Sequence, residues 1–139
     1  MLKRVQKGIE LDQVERAVAL AKKHDLRVWT KFILGHPHET RQTVLDTVNF
    51  IAKLNPDRLS VSIMTPYPGT PIFEMAMRGE GGYKLLSEDW SRFDKYSSGV
   101  LELESISLGE LKFFQLFAYA KLYLWNHRYG DLFRIVRAH

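Results

Sequence analysis

Apolar and polar residues recur along this chain with two different periods, and the switch between them outlines the fold. Over residues 12–24, Val14, Ala17, Val18 and Ala21 fall on one stripe, with Glu15, Arg16, Lys22 and Lys23 elsewhere. That spacing predicts an amphipathic helix. Asp12 and Glu15 suit its N-terminus, where the helix dipole favours negative charge. Residues 27–34 carry the β-formers Val28, Trp29, Thr30, Phe32 and Ile33 and predict a strand that Gly35 ends. Thr40 is the expected N-cap of a helix running to about Leu54, with Val44, Leu45, Val48, Ile51 and Ala52 on its buried side. Asn55-Pro56-Asp57 stops that helix, and 59–64 reads as a second strand. Pro66, Pro68 and Gly69 make a rigid turn. Thr70 then caps a short helix with Pro71 at its first position, where a missing N–H costs nothing.

This alternation of helix and strand predicts an α/β chain with parallel strands. Two strands are too few for a stable parallel sheet, so their edges need cover from another chain or a missing segment. After Arg78 the pattern changes. Gly79-Glu80-Gly81-Gly82 is a flexible joint, and 83–99 reads as irregular and aromatic, with Trp90, Phe93 and Tyr96. Residues 108–129 predict a long final helix. Lys112, Gln115 and Asn126 share one face with Tyr119 and Tyr123, while Lys121 lies on the opposite, apolar side. A helix this greasy is expected to be buried on more than one side. Trp90, Phe93, Tyr96 and Trp125 are expected in the core. The division expected is 1–78 and 79–139.

Composition narrows the functions. At 139 residues and 45% hydrophobic, the chain has room for one ordinary domain with a real core. Zero cysteines exclude a disulfide scaffold and any thiolate-held zinc or iron–sulfur site in this sequence. The net charge of +4 is scattered among acidic neighbours without a nucleic-acid motif, so no nucleic-acid partner is expected. No segment approaches the roughly 20 apolar residues of a membrane span. The basic start has no apolar stretch behind it to make a signal peptide, and a cytoplasmic protein is expected.

In parallel βα folds, ligands bind at the carboxyl ends of the strands. Phe32-Ile33-Leu34-Gly35-His36-Pro37-His38-Glu39-Thr40 and Pro66-Tyr67-Pro68-Gly69-Thr70-Pro71 both lie at such ends. Strand alternation puts Val28, Thr30, Phe32 and Leu34 on one side, with Leu59, Val61 and Ile63. Those apolar sets should meet the helices. The mixed set, Lys31, Ile33, Ser60, Ser62 and Met64, would line the inside of a barrel or lie open to solvent. Lys31, Ser60 and Ser62 form a pocket-like group, because a lysine and two serines inside a barrel need partners or water. His36 and His38 around a proline match no helical zinc motif, so no metal is expected there. Glu39 is expected to bond backbone at the start of the following helix rather than act as a base. No catalytic arrangement of side chains is read.

The two motifs at this spacing resemble the second half of a radical S-adenosylmethionine (SAM) enzyme. In that superfamily a partial (βα)6 barrel carries a Cys-x3-Cys-x2-Cys loop after its first strand. A Gly-x-Ile-x-Gly-like fifth strand packs its Ile on the adenine of SAM, and backbone after the sixth strand also contacts adenine. By resemblance, Ile33 and Gly35 match the fifth-strand positions, and Met64, Thr65 and Pro66 the region after the sixth. The longer pattern looks most like the cobalamin-binding group that includes enzymes similar to anaerobic magnesium-protoporphyrin IX monomethyl ester cyclase. The Leu2-Lys3-Arg4-Val5-Gln6-Lys7-Gly8 opening resembles the segment after their fourth strand. Asp89-Trp90-Ser91 and the late helix resemble their C-terminal extension. His38 stands where that group has Gly, and Lys31 where it has a small residue.

The resemblance implies the C-terminal half of a (β/α)6 TIM-like barrel plus a helical extension, as a truncated enzyme or a remnant. It implies SAM, a 4Fe–4S cluster and, for that group, cobalamin in the intact enzyme, with no cofactor in this chain alone. The partner expected is the missing N-terminal half of the barrel or a second copy of the chain. The competing reading is a non-catalytic module that dimerises through strand edges and the late helix. A third is a small enzyme built on His36, His38 and Glu39.

Overall fold

Local signals at the helix starts act as expected in the computed structural model, which describes residues 8–93, 99–131 and 133. Helix α1 spans Leu11–Lys23, strand β1 Trp29–Leu34 and helix α2 Arg41–Leu54. Strand β2 spans Arg58–Ile63 and helix α3 Pro71–Met77. The Thr40 hydroxyl accepts from the Thr43 N–H, and the Thr70 hydroxyl from the Phe73 N–H, so both predicted caps satisfy donors that the helices leave open. Asn55 closes α2 in the left-handed conformation, at φ 46°.

β1 and β2 pair in parallel, with Lys31 opposite Ser60 and Ile33 opposite Ser62. Thr30, Phe32 and Leu34 turn to the helices with Leu59, Val61 and Ile63, while Trp29 and Lys31 are exposed on the other face. The architecture is α/β, a short parallel pair with helices.

The segment 83–99 is not wholly irregular. Strand β3, Tyr83–Leu85, pairs antiparallel with β4, Leu101–Leu103. Three-residue strands give no readable period, and the partner of β3 is supplied from a distant stretch. Helix α4 runs Leu108–Trp125 and so ends before the expected 129. His127 turns the chain at φ 55°, and the Arg128 N–H donates to the Tyr123 carbonyl at 2.8 Å. Trp90 lies in a short 3₁₀ turn, Trp90–Arg92, but its side chain falls outside the described residues. Tyr96 and residues 1–7 of the opening motif do too. Phe93 is buried, as expected, but Trp125 is 70% exposed.

The thin polar side of α4 faces inward, and this overturns the expectation of burial on several sides. Leu34 and Val28 offer their carbonyls to the Met64 and Arg58 N–H groups, so the backbone groups of Val61 point away from β1. There the Val61 N–H donates to the Tyr119 hydroxyl at 3.1 Å, and Gln115 Nε2 donates to the Val61 carbonyl at 2.8 Å. Asn126 Nδ2 donates to the Ala52 carbonyl at 3.0 Å. Leu111, Phe114, Ala118 and Leu122 pack beside these polar contacts, while Phe113, Leu116 and Leu124 remain exposed. Buried backbone groups demand partners, so Gln115 and Tyr119 of α4 go to the strand edge rather than to water. This corrects the expectation that both strand edges need another chain or a missing segment: α4 of this chain covers the outer edge of β2, and among the described residues no strand pairs with the outer edge of β1.

Residues before and after position 78 share one apolar core, which includes Val44, Val48, Ile51 and Ile63 with Leu101, Ile106, Leu111 and Leu122. Among the described residues, no helix is long and apolar enough to cross a membrane.

Candidate functional site

The carboxyl ends of β1 and β2 meet at Gly35. Its φ of 90° lies where side chains are rarely tolerated, and a Cβ there would sit 3.4 Å from the Cβ of Met64. Beside it the Met64 N–H donates to the Leu34 carbonyl at 2.7 Å. The backbone after both strands is thereby brought to one place. Pro66 is buried, Met64 and Thr65 are half-buried, and the Thr65 hydroxyl bonds the Ile63 carbonyl at 3.3 Å.

Glu39 underlies this corner. It is 3% exposed, and its Oε2 accepts from the N–H of Gly35 at 2.6 Å and of His36 at 3.2 Å. Its other oxygen is buried without a hydrogen-bond partner among the described residues. Burial pushes its carboxyl above the usual carboxylate range, and the two N–H bonds only partly oppose that. Tyr83 completes the frame by donating to the Gly35 carbonyl at 3.0 Å. Burial, with the Glu39 charge nearby, pushes the Tyr83 phenol up. The Ser105 hydroxyl donates to the Glu39 carbonyl at 2.7 Å, and the His38 N–H to the Gly81 carbonyl at 2.7 Å. Thus Glu39 does bond backbone at the start of α2. His38 sits exposed at φ 59°, the left-handed region that favours the glycine of the resembling group.

Ile33 is 44% exposed on the face away from the helices, where its register partner is Ser62. Lys31 is exposed beside the half-buried Ser60. Lys31, Ile33, Ser60 and Ser62 therefore share one open face, and Gly35 and Met64 lie at its carboxyl end. Tyr83 and Ser105 were not legible in the sequence as parts of this corner. Both are supplied from far along the chain, and neither sits in a motif. The described residues hold no group of three or more His, Asp or Glu that would gather around a metal ion.

No family model matches the chain. The chain is 34% identical over 124 residues to an uncharacterized methyltransferase of Pyrococcus horikoshii, a match that covers 89% of the chain and 26% of that protein. It is 26% identical over 107 residues to the anaerobic magnesium-protoporphyrin IX monomethyl ester cyclase of Rubrivivax gelatinosus, with 77% of the chain and 18% of the cyclase covered. It is 30% identical over 97 residues to a bacteriochlorophyllide d C-12(1)-methyltransferase of Chlorobaculum tepidum, with 69% and 20% covered. These matches support the radical SAM resemblance. They do so at modest identity, and the chain spans about a quarter or less of each of these relatives. At that level the chain corresponds to a part of such an enzyme.

Proposed function

We propose that this chain supplies the last two strands of a radical SAM barrel, and that β1 and β2 form the adenine-side edge of the SAM site. The observation that carries this reading is the Gly35–Met64 corner. A glycine whose φ of 90° disfavours any side chain, held by Glu39 at its N–H and by Tyr83 at its carbonyl, brings together the backbone that follows two parallel strands at their carboxyl ends. Ile33 offers apolar surface to a flat base, and Met64, Thr65 and Pro66 offer backbone. The edges also fit. α4 seals β2, as suits a final strand, while the free edge of β1 would take the neighbouring strand of the N-terminal half. That half would carry the cluster-binding cysteines, since this sequence has none. Its cluster would suit a reducing, cytoplasmic compartment.

The residues present fit a base, not a cluster. When bound, SAM together with a reduced cluster supplies the radical chemistry. This chain's own part is to receive the adenine, close the barrel and exclude water with α3 and α4. The similarity to the cyclase and the bacteriochlorophyllide methyltransferase supports the cobalamin-binding group as the finer placement. The test is reconstitution. After iron–sulfur loading the purified chain alone should release no 5′-deoxyadenosine from SAM, whereas adenosine should shift the amide signals of Ile33, Gly35 and Met64. Release by the chain alone, or adenosine shifts elsewhere, overturns the reading.

A further inference from the structure

Two consecutive peptide planes at the Gly35 corner are each held at both ends. In the first, the Leu34 carbonyl accepts from the Met64 N–H at 2.7 Å, and the Gly35 N–H donates to Glu39 Oε2 at 2.6 Å. In the second, the His36 N–H donates to the same Glu39 oxygen at 3.2 Å, and the Gly35 carbonyl accepts from the Tyr83 hydroxyl at 3.0 Å. The first three contacts come from the two strands and the loop that follows β1. The fourth comes from β3, a later segment. Glycine lacks the Cβ that would restrict its backbone, so the plane after Gly35 can turn over at little cost unless both its ends are held. Tyr83 holds the end that the local motif leaves free.

The segment that carries Tyr83 is itself fastened to the loop 35–39. The Gly81 carbonyl accepts from the His38 N–H at 2.7 Å, and the Ser105 hydroxyl donates to the Glu39 carbonyl at 2.7 Å. Gly81 lies so close to the loop that a Cβ on it would come within 2.9 Å of the Pro37 Cβ. Tyr83 is 2% exposed and pairs with Leu103 in the β3–β4 ladder, so its ring is packed and its hydroxyl is aimed at one carbonyl.

We infer that Tyr83 is a positioning residue for the ligand corner: by fixing the Gly35–His36 peptide, it holds the backbone beside Met64 in the arrangement that receives a ligand. The inference rests on the reading that the Gly35–Met64 corner receives adenine. It adds to that reading a residue from outside the strand pair, one that sets affinity without touching the ligand. Without the Tyr83 hydroxyl a smaller fraction of chains holds the competent arrangement, and apparent affinity falls with that fraction.

The test is an adenosine titration of the isotope-labelled chain, wild type against Tyr83→Phe, which keeps the ring and removes only the hydroxyl. Tyr83→Phe should weaken adenosine about fivefold, the shift that one hydrogen bond sets in an equilibrium. Before any ligand is added, it should also move the Gly35 carbonyl-carbon signal and the His36 amide signal. Arg128→Met controls for lost stability. Arg128 bonds the Pro56 and Asp57 carbonyls at the opposite end of the strands, so its loss should leave adenosine affinity unchanged. If Tyr83→Phe does not keep the wild-type spectrum away from the corner, Gly81→Ala takes its place. Its Cβ would press on Pro37 and lift the Tyr83 segment off the loop, and adenosine should weaken likewise. Equal affinity in wild type and variant, or the same weakening in Arg128→Met, would overturn the inference. A wild type that binds no adenosine overturns the function reading instead. The ligand-free signals of Gly35 and His36 then decide whether Tyr83 holds this peptide, and unchanged signals in Tyr83→Phe overturn that too.

Discussion

Single residues carry the geometry of the Gly35 corner, and their chemistry gives two signed predictions. His38 holds a left-handed φ of 59° with its ring exposed, a conformation that costs a residue with a Cβ. His38→Gly should therefore raise stability by about 1 kcal/mol, as measured by urea denaturation. Glu39 behaves differently. Burial raises its folded-state pKa above the unfolded value, so the folded state favours the protonated form. The stability contributed by that proton is fully present below the unfolded value, near 4.5, and is lost as pH rises through the folded value. Glu39→Gln keeps an oxygen that can accept from the Gly35 N–H and removes the titration. The variant should lose less stability than the wild type between pH 4.5 and neutrality, and parallel denaturation series across that window would show it. Gly35 and Glu39 were legible because they belong to a local motif. The rise of the Glu39 carboxyl was not, because it comes from burial, which only the folded chain creates.

At the scale of elements, the decisive contact is between α4 and the outer edge of β2. The Val61 N–H and carbonyl are buried, and Tyr119 and Gln115 satisfy them. Tyr119→Phe leaves a buried donor without a partner and should cost about 1–3 kcal/mol in a chemical melt. A cost near zero would mean that water replaces the hydroxyl. The helices and the parallel pair could be read from the sequence, because caps such as Thr40 and Thr70-Pro71 act within a few residues and the periods run long enough to see. β3 and β4 could not, because three residues hold too little pattern. α4 misled for a physical reason. Its composition says that much of its surface can be buried, but the free edge of β2 decides which face is, and that edge needs Gln115 and Tyr119 rather than Phe113 and Leu116. Trp125, expected in the core, ends exposed for the same reason.

Across the whole molecule, the end of the sheet opposite the Gly35 corner is built for stability. Arg128 lies over the Tyr123 ring and donates to Asn55 Oδ1 at 3.1 Å, the Pro56 carbonyl at 2.6 Å and the Asp57 carbonyl at 2.9 Å. It ties the segment after α4 to the turn between α2 and β2. Arg128→Met keeps the apolar stem and loses these bonds, and should lower the denaturation midpoint by the equivalent of about 1–3 kcal/mol without moving the amide signals of Gly35 and Met64. One end of the strands thus holds the fold, and the proposed function gives the other to a ligand, the usual division in parallel βα architectures. The asymmetry of the sheet edges extends that account beyond the chain, since β2 is sealed and β1 is not. In the proposed barrel, β1 meets a strand from a part that also carries the cluster cysteines. The most direct measurement is the intact mass of the endogenous polypeptide, together with that of any chain that co-purifies with it. The prediction is a longer polypeptide, or a tight partner, containing Cys-x3-Cys-x2-Cys. An endogenous chain of 139 residues, purified without any cysteine-bearing partner, would contradict it.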